Sequence, residues 1–428
     1  MLHCRTLLGA LIALTLSLSA QSPAADTNCL LLTPRQVYDG TEMLVNHSVL
    51  ITGDRITAVA PTAALSVPAG CAVREFPEGT LLPGLIEGHS HLLLHPYNEV
   101  GWNEQVLNES YAERAIRGGV HARRSLQAGW TMLRDLGSEG AGYVDVGLKQ
   151  AIEKGVIPGP RLLVAGKAIV ATGSYGPKGF REGVKVPLGA EEADGHDELI
   201  RVVRDQIGHG ADLIKVYADY RWGPNGEAMP TFTEAELRTI VEVAASSGRQ
   251  VVAHASTAEA MRRATLAGVT TIEHGDGGTP EVFELMAERN VALCPTLAAG
   301  DAITQYRGWN KGVDPEPERI TAKRESFAAA LAAGVTIVAG GDVGVFPHGD
   351  NVRELEMMVD YGMEPEAVLH AATAGNAEVF GWGDRLGSLR PGLLADLIVV
   401  AGNPLEDISR LREVIFVLLG GRPVDLAD

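Results

Sequence analysis

The chain has 428 residues, of which 46% are hydrophobic and 21% charged, a globular balance with no disordered character. Its 54 acidic residues against 36 lysines and arginines give a formal charge of −18, which repels phosphate backbones and anionic lipid surfaces. Aromatics at 5% also argue against a base-stacking groove, so no nucleic-acid or membrane-surface partner is expected.

At the amino terminus Arg5 precedes an apolar run at 7–20, and Ser22-Pro23-Ala24-Ala25 follows it. A charge, a short apolar stretch and small residues at −3 and −1 make up a secretory signal, with cleavage after Ala24 and a signal segment at 1–24. The run is too short to span a bilayer comfortably. An exported protein, periplasmic or secreted, is therefore expected. Cys4 leaves with the signal, and Cys29, Cys71 and Cys294 remain. An oxidising compartment permits one disulfide. Cys29 and Cys71 share the leading segment and are the expected pair, leaving one thiol free.

Residues 28–79 hold short strand-like runs at 30–32, 48–51, 55–59 and 71–76, separated by turn signals at Asp39-Gly40, Gly53-Asp54 and Pro68-Ala69-Gly70. The far end is similar, with runs at 395–400 and 414–419 before Gly420-Gly421. Each end is too small to bury a core alone. The two are expected to join as a small β-sandwich domain (25–84 and 381–428) around an inserted body at 85–380.

That body is long enough for an α/β barrel, whose usual size is about 250 residues. Eight apolar runs punctuate it, at 81–86, 131–133, 161–169, 212–216, 251–253, 270–272, 291–293 and 335–339. Helical patterns lie between them at 197–208, 233–247, 256–267 and 280–289, and Thr233 with Glu236 forms a capping box. The expected fold class is α/β, a (β/α)8 TIM-type barrel, with a doubly wound open sheet as the alternative.

Polar residues of interest end these runs. Residues two apart on an extended strand face the same way, so the imidazoles of His89-Ser90-His91 can reach one ion. Lys215, His254, His274 and Asp342 close four further runs. Active sites of α/β barrels lie at the carboxyl ends of strands, so all six would converge on one mouth. Singly each is weak: a lone His is usually satisfied by hydrogen bonds, and a lone Lys usually snorkels. Burying six such groups unpaired would be costly, and a metal centre removes that cost because imidazole and carboxylate are ordinary zinc ligands.

The segments Leu82-Pro83-Gly84-Leu85-Ile86-Glu87-Gly88-His89-Ser90-His91, Gly210-Ala211-Asp212-Leu213-Ile214-Lys215-Val216-Tyr217 and Gly341-Asp342-Val343-Gly344-Val345-Phe346-Pro347-His348-Gly349 resemble the amidohydrolase superfamily of binuclear metallohydrolases. Within it they resemble prolidase-like metallo-dipeptidases and carboxypeptidases, a subgroup that includes ochratoxin-hydrolysing amidases. The likeness covers essentially the whole mature chain. It implies two divalent ions, zinc being the expected metal. His89, His91 and Asp342 would hold the more buried one, and His254 and His274 the second. Lys215, N6-carboxylated by carbon dioxide, would bridge them; an unmodified Lys215 in a mononuclear site is the alternative. Asp342 would also move the proton, as general base and then acid.

Tyr217, on the same strand face as Lys215, and His348, in the loop after Asp342, are the substrate-binding candidates, with Tyr220 and Arg221 following in the loop. One departure stands out. Related sequences often carry a Gly-Gly-His-Gly-like loop after the third strand, where this chain reads Thr172-Gly173-Ser174-Tyr175-Gly176. The implied activity is hydrolysis of a peptide or amide bond releasing a C-terminal amino acid from a small-molecule or short-peptide substrate. Xaa-Pro-type dipeptides, N-acyl amino acids and ochratoxin-like N-aroyl phenylalanines all fall in that class. The alternative is a cyclic amidase of the imidazolone- or hydantoin-opening type, which export disfavours. Related enzymes are often homo-oligomers; metal identity, side-chain preference and oligomeric state stay open.

Overall fold

A computed structural model describes residues 28–427, and the expected signal segment lies outside them. The leading segment folds as β1 (Cys29–Tyr38), β2 (Met43–Val45), β3 (His47–Thr52), β4 (Arg55–Pro61) and β5 (Ala72–Pro83). The body supplies β6 (Leu85–Ser90), β7 (Trp130–Asp135), β8 (Arg161–Val164), β9 (Ile169–Val170), β10 (Glu191–Glu192) and β11 (Ile214–Tyr217). It continues with β12 (Asp219–Arg221), β13 (Ala228–Pro230), β14 (Val251–Thr257), β15 (Thr271–Gly277) and β16 (Ala292–Cys294). The closing segment gives β17 (Leu397–Ala401), β18 (Val414–Leu419) and β19 (Arg422–Pro423).

The two chain ends meet along β5. It runs parallel to β1 from Ala72 to Leu81, and its buried carboxyl half also pairs antiparallel with β17, Leu82 opposite Ile398. The result is one eight-stranded sheet ordered β19-β18-β17-β5-β1-β3-β4, with β2 on β1. Hydrogen bonding thus draws the expected sandwich of the two ends as a single sheet. The Cys29–Cys71 disulfide ties β1 to the segment entering β5, and Cys294 stays free and buried. Gly84 carries the chain from this sheet into β6. A Cβ there would fall 2.1 Å from Thr131 Oγ1, a contact only glycine avoids.

In the body, β6-β7-β8 form one parallel sheet and β10-β9-β11-β14-β15-β16 another. Seven of the eight apolar runs are therefore strands, with 161–169 split between β8 and β9. The eighth, 335–339, is joined only by isolated bridges, from Ile337 to Leu293 and, just beyond it, from Val343 to Ser90. Val338 N donates to Leu293 O at 2.9 Å and Gly88 N to Ala339 O at 2.8 Å, so the segment lies between β16 and β6 and links the two sheets. On the other side Asp212 N donates to Val164 O at 2.8 Å.

The expected helices occupy Gly195–Gly208, Glu234–Ala245, Ala258–Ala267 and Pro280–Glu288. The capping box closes as the sequence requires, Thr233 N donating to Glu236 Oε2 at 2.9 Å and Glu236 N to Thr233 Oγ1 at 3.3 Å. Their apolar residues, among them Leu199, Ile240, Met261 and Phe283, share one core cluster with Ile214, Val251 and Ile272 of the strands. This packing holds the strand ends, and the polar residues on them, in a rigid frame. Among the described residues no helix is long and apolar enough to cross a membrane.

Candidate active site

Every residue of β6 is buried, so its two imidazoles must find partners inside the protein. His89 Nδ1 meets Glu273 Oε2 at 2.8 Å, and His91 Nδ1 meets the Gly137 carbonyl at 3.0 Å. Only an N–H can face a carbonyl, so the His91 proton on that side is fixed, and both Nε2 atoms point towards Asp342 Oδ1, at 3.6 and 3.3 Å. His274, near the end of β15, is held through Nδ1 by Thr296 Oγ1 at 2.7 Å. Its ring centroid lies 4.4 Å from that of His254 on β14 and 5.2 Å from that of His89. Asp342 takes a left-handed backbone conformation (φ 62°), with its N–H bound to His89 O at 2.9 Å, which turns its carboxylate inward. Lys215 sits on β11, hydrogen-bonded into the sheet between β9 and β14, and is fully buried.

The six residues expected to converge are thus brought together. No hydrogen bond reaches the buried Lys215 Nζ, and the buried Asp342 Oδ1 faces only the His91 and His89 Nε2 atoms. Burial pushes the Lys215 ammonium down. Burial and then the Lys215 charge push His89 down to about 4 and His254 to about 3, and burial drives His274 well down too. Burial would also lower His91, but its hydrogen bond and attraction to Asp342 outweigh that and lift it to about 9. Burial would raise the Asp342 carboxyl, yet the facing His89 and His91 rings hold it down to about 2. Ligand atoms of His89, His274 and Asp342 lie within 4.8 Å of one another. Three imidazoles held neutral, a fourth (His91) whose proton is shared with the Asp342 carboxylate, and an amine that resists staying protonated are a donor set suited to divalent cations once that proton is displaced.

These groups open onto a cavity of about 370 Å³, the size of a small-ligand site. Tyr217 lines it, its ring stacked on His254 at 4.6 Å. Tyr220 and Arg221 line it as well. His348, expected to reach substrate, is not in the lining. After Asp342 the chain doubles back at Gly344, where a Cβ would fall 2.6 Å from His91 O. His348 therefore ends beneath β6, its Nε2 facing the carbonyls of His91 and Leu94 at 3.2 and 3.3 Å and its ring stacked on His121 at 4.4 Å. It supports the backbone that carries His91.

Sequence reasoning passed over the groups that brace the ligands. Glu87 accepts from His89 N at 3.0 Å, Gly341 N at 2.8 Å and Asn351 Nδ2 at 2.8 Å, tying β6 to the approach to Asp342. Glu273 joins His89 to the buried Arg134, whose Nη2 donates to it at 3.0 Å. Asp219 accepts from Ser256 N and from the N–H and hydroxyl of Thr257, fixing the turn after His254. Glu139 enters the cavity wall from the loop after β7. A usable signal existed for two of these: Glu87 and Glu273 precede candidate ligands by two residues and one on the same strands.

Residues 80–424 match the family model described as the amidohydrolase family. The ochratoxinase of Aspergillus niger is 33% identical over 371 residues, spanning 80% of this chain and 75% of the fungal protein. The crystal structure of a Xaa-Pro dipeptidase with methionine bound in its active site is similar with a TM-score of 0.81 and 31% identity, covering 93% of this chain and 100% of that one. A prolidase structure complexed with N-methylphosphonate-L-proline gives a TM-score of 0.78 at 30% identity, over 92% of this chain and 99% of the other.

Proposed function

The chain belongs to the amidohydrolase family, with the TIM-barrel-based fold of that superfamily and hydrolysis of carbon–nitrogen bonds as its chemistry, and from that premise we propose that it releases a C-terminal amino acid from a short peptide or N-acyl amino acid. Xaa-Pro-type dipeptides and ochratoxin-like N-aroyl phenylalanines are the substrates that its relatives bring to mind. The observation that carries the proposal is the convergence of four imidazoles and the Asp342 carboxylate on one cavity, with the Lys215 Nζ buried without a hydrogen bond and its charge felt by His89, His254 and His274.

His89, His91 and Asp342 would hold one divalent ion, His254 and His274 a second, and N6-carboxylated Lys215 would lie between them, zinc being the metal proposed. Such a pair, when bound, supplies an acidified water and a polarised carbonyl. Asp342 Oδ1, kept ionised by the facing His89 and His91 rings, takes the proton of the attacking water and returns it to the leaving nitrogen. Glu273, Gly137 O and Thr296 each engage an Nδ1 atom and so leave Nε2 of three imidazoles turned to the reacting centre. On the same reading the eight apolar runs close as a (β/α)8 barrel, and the protein is exported; the Cys29–Cys71 disulfide supports an oxidising compartment.

The test is amino-acid release from a mixed panel of dipeptides and N-acyl amino acids, with added zinc and again after chelation. Chelator-sensitive release is expected. A metal-loaded sample that releases nothing would refute the proposal and turn attention to cyclic amides.

A further inference from the structure

Glu139 follows β7 with a left-handed backbone (φ 46°), a conformation uncommon outside glycine. Buried Arg114 pins it there, donating from Nη1 to Glu139 O at 2.6 Å, from Nη2 to Ser138 O at 3.2 Å and from Nε to Leu93 O at 2.9 Å. The guanidinium is thus committed to carbonyls, and the carboxylate turns into the cavity wall with 2% of the residue exposed. There Oε2 accepts from the Tyr175 hydroxyl at 2.7 Å and Trp102 Nε1 at 2.8 Å, and Oε1 from the Tyr217 hydroxyl at 3.2 Å. All three donors are neutral. Among the described residues no Lys, Arg or His nitrogen comes within 4.0 Å of this carboxylate.

A buried carboxylate without an ion pair inside 4.0 Å is costly to keep charged, and neutral donors with the longer-range attraction of Arg114 and His91 offset only part of that cost. Oε1 accepts a single bond and keeps acceptor capacity in the cavity wall. Tyr175 stands in the loop after β9. Here both its phenol and that of Tyr217 are already turned to Glu139, so an anionic substrate group at this wall would meet a resident carboxylate. Two lining cations, Arg221 on β12 and Arg319 on the helix Glu318–Ala332, form no ion pair among the described residues, which leaves them to face a substrate carboxylate.

We propose that Glu139 is a specificity-determining residue that receives a cationic nitrogen of the substrate, an ammonium or guanidinium. This rests on the amide-hydrolase reading above. The cation is either the free α-amine of a dipeptide or a basic side chain, and matched pairs separate the two.

The metal-loaded full chain is assayed on peptides ending in Lys against norleucine and Arg against citrulline, and on dipeptides with a free against an acetylated α-amine. In at least one of these sets the charged member should lead by roughly tenfold or more in kcat/KM, mostly through KM, as a charge-assisted hydrogen bond requires. Glu139→Gln should collapse that ratio towards one with bound metal unchanged, whereas Glu139→Asp, which keeps the charge, should retain its direction. Equal rates in every wild-type set, or a ratio that survives Glu139→Gln, would overturn the proposal. A Glu139→Gln protein that loses metal and slows on all substrates alike would overturn it too, because Glu139 would then serve only to balance the ions. If no amide is cleaved, the hydrolase substrate reading fails separately. The wall is then probed by thermal shift with lysine, arginine, norleucine and citrulline: stabilisation by the cationic pair alone, lost in Glu139→Gln, upholds the assignment, and an equal response to all four ends it.

Discussion

Replacing Glu273 by Gln is the most informative single change to the scaffold beneath the site. The Glu273 carboxylate is fully buried between two obligations, the His89 Nδ1 at 2.8 Å and the Arg134 Nη2 at 3.0 Å, with the Thr271 hydroxyl as a third donor. Burial alone would raise its pKa, but the Arg134 charge and the His89 hydrogen bond hold it well below the usual carboxylate range. Arg134 has no other carboxylate partner among the described residues; its Nε goes to Gly88 O at 2.7 Å. A Gln keeps one acceptor oxygen and turns an NH2 towards either the guanidinium or the imidazole. Stranding a buried cation this way costs about 3–5 kcal/mol. With unfolding entropy of about 2.1 cal/mol/K per residue over roughly 400 residues, that corresponds to a fall in Tm of about 4–6 °C.

The same substitution frees the His89 ring, and loss of such an outer partner typically weakens metal affinity by about 10–100-fold. Calorimetry of the metal-free protein and a metal titration read the two effects separately. Because the carboxyl is held below its unfolded value near 4.5, its stabilisation is complete above that pH and fades as pH falls further. The Tm gap between wild type and Glu273→Gln should therefore narrow only below about pH 4. A variant within 1 °C of wild type at pH 7, with unchanged metal affinity, would refute the assignment of Glu273 as the shared brace of His89 and Arg134.

Lys215→Ala should lower bound metal along with turnover, by elemental analysis of purified protein; two ions fully retained would sink the bridging role. Asp342→Asn keeps the side-chain shape but removes the proton acceptor, so turnover should fall by at least about a hundredfold while KM changes little, and substantial residual turnover would count against proton transfer. Burial raises Glu354 to about 8, although its oxygens accept from Leu297 N at 3.0 Å and Ala298 N at 2.7 Å. The fold therefore holds a proton that the unfolded chain releases near 4.5, and this group's stabilisation is full below that pH and is lost as pH rises to about 8. Glu354→Gln should flatten the decline of Tm between pH 5 and 8, and parallel profiles for the two proteins would contradict the assignment.

Strand ends were the most legible part of the site. His89, His91, Lys215, His254, His274 and Asp342 each follow an apolar run, and in a parallel α/β arrangement all carboxyl ends face one side, so position along the run stands in for position in space. The cysteine pair and the Thr233–Glu236 cap were legible for a similar reason, since each depends on residues within one segment. His348 misled because a loop has no such rule: the turn at Gly344 decides which way the side chain goes, and it goes under β6.

Chemistry that is local in sequence, the type and order of residues at the ends of apolar runs, pointed to the six polar residues that converge on the cavity and to the family of reaction. What only the tertiary structure decided are the contacts between segments far apart in the chain. Arg114 turning Glu139 into the cavity, Arg134 and His89 meeting on Glu273, and β17 closing on β5 all join residues that no periodicity links. Short-range pattern reports how a segment presents its side chains; which charges then share a buried space depends on packing, and a buried carboxylate acquires its role only from the partners that packing supplies.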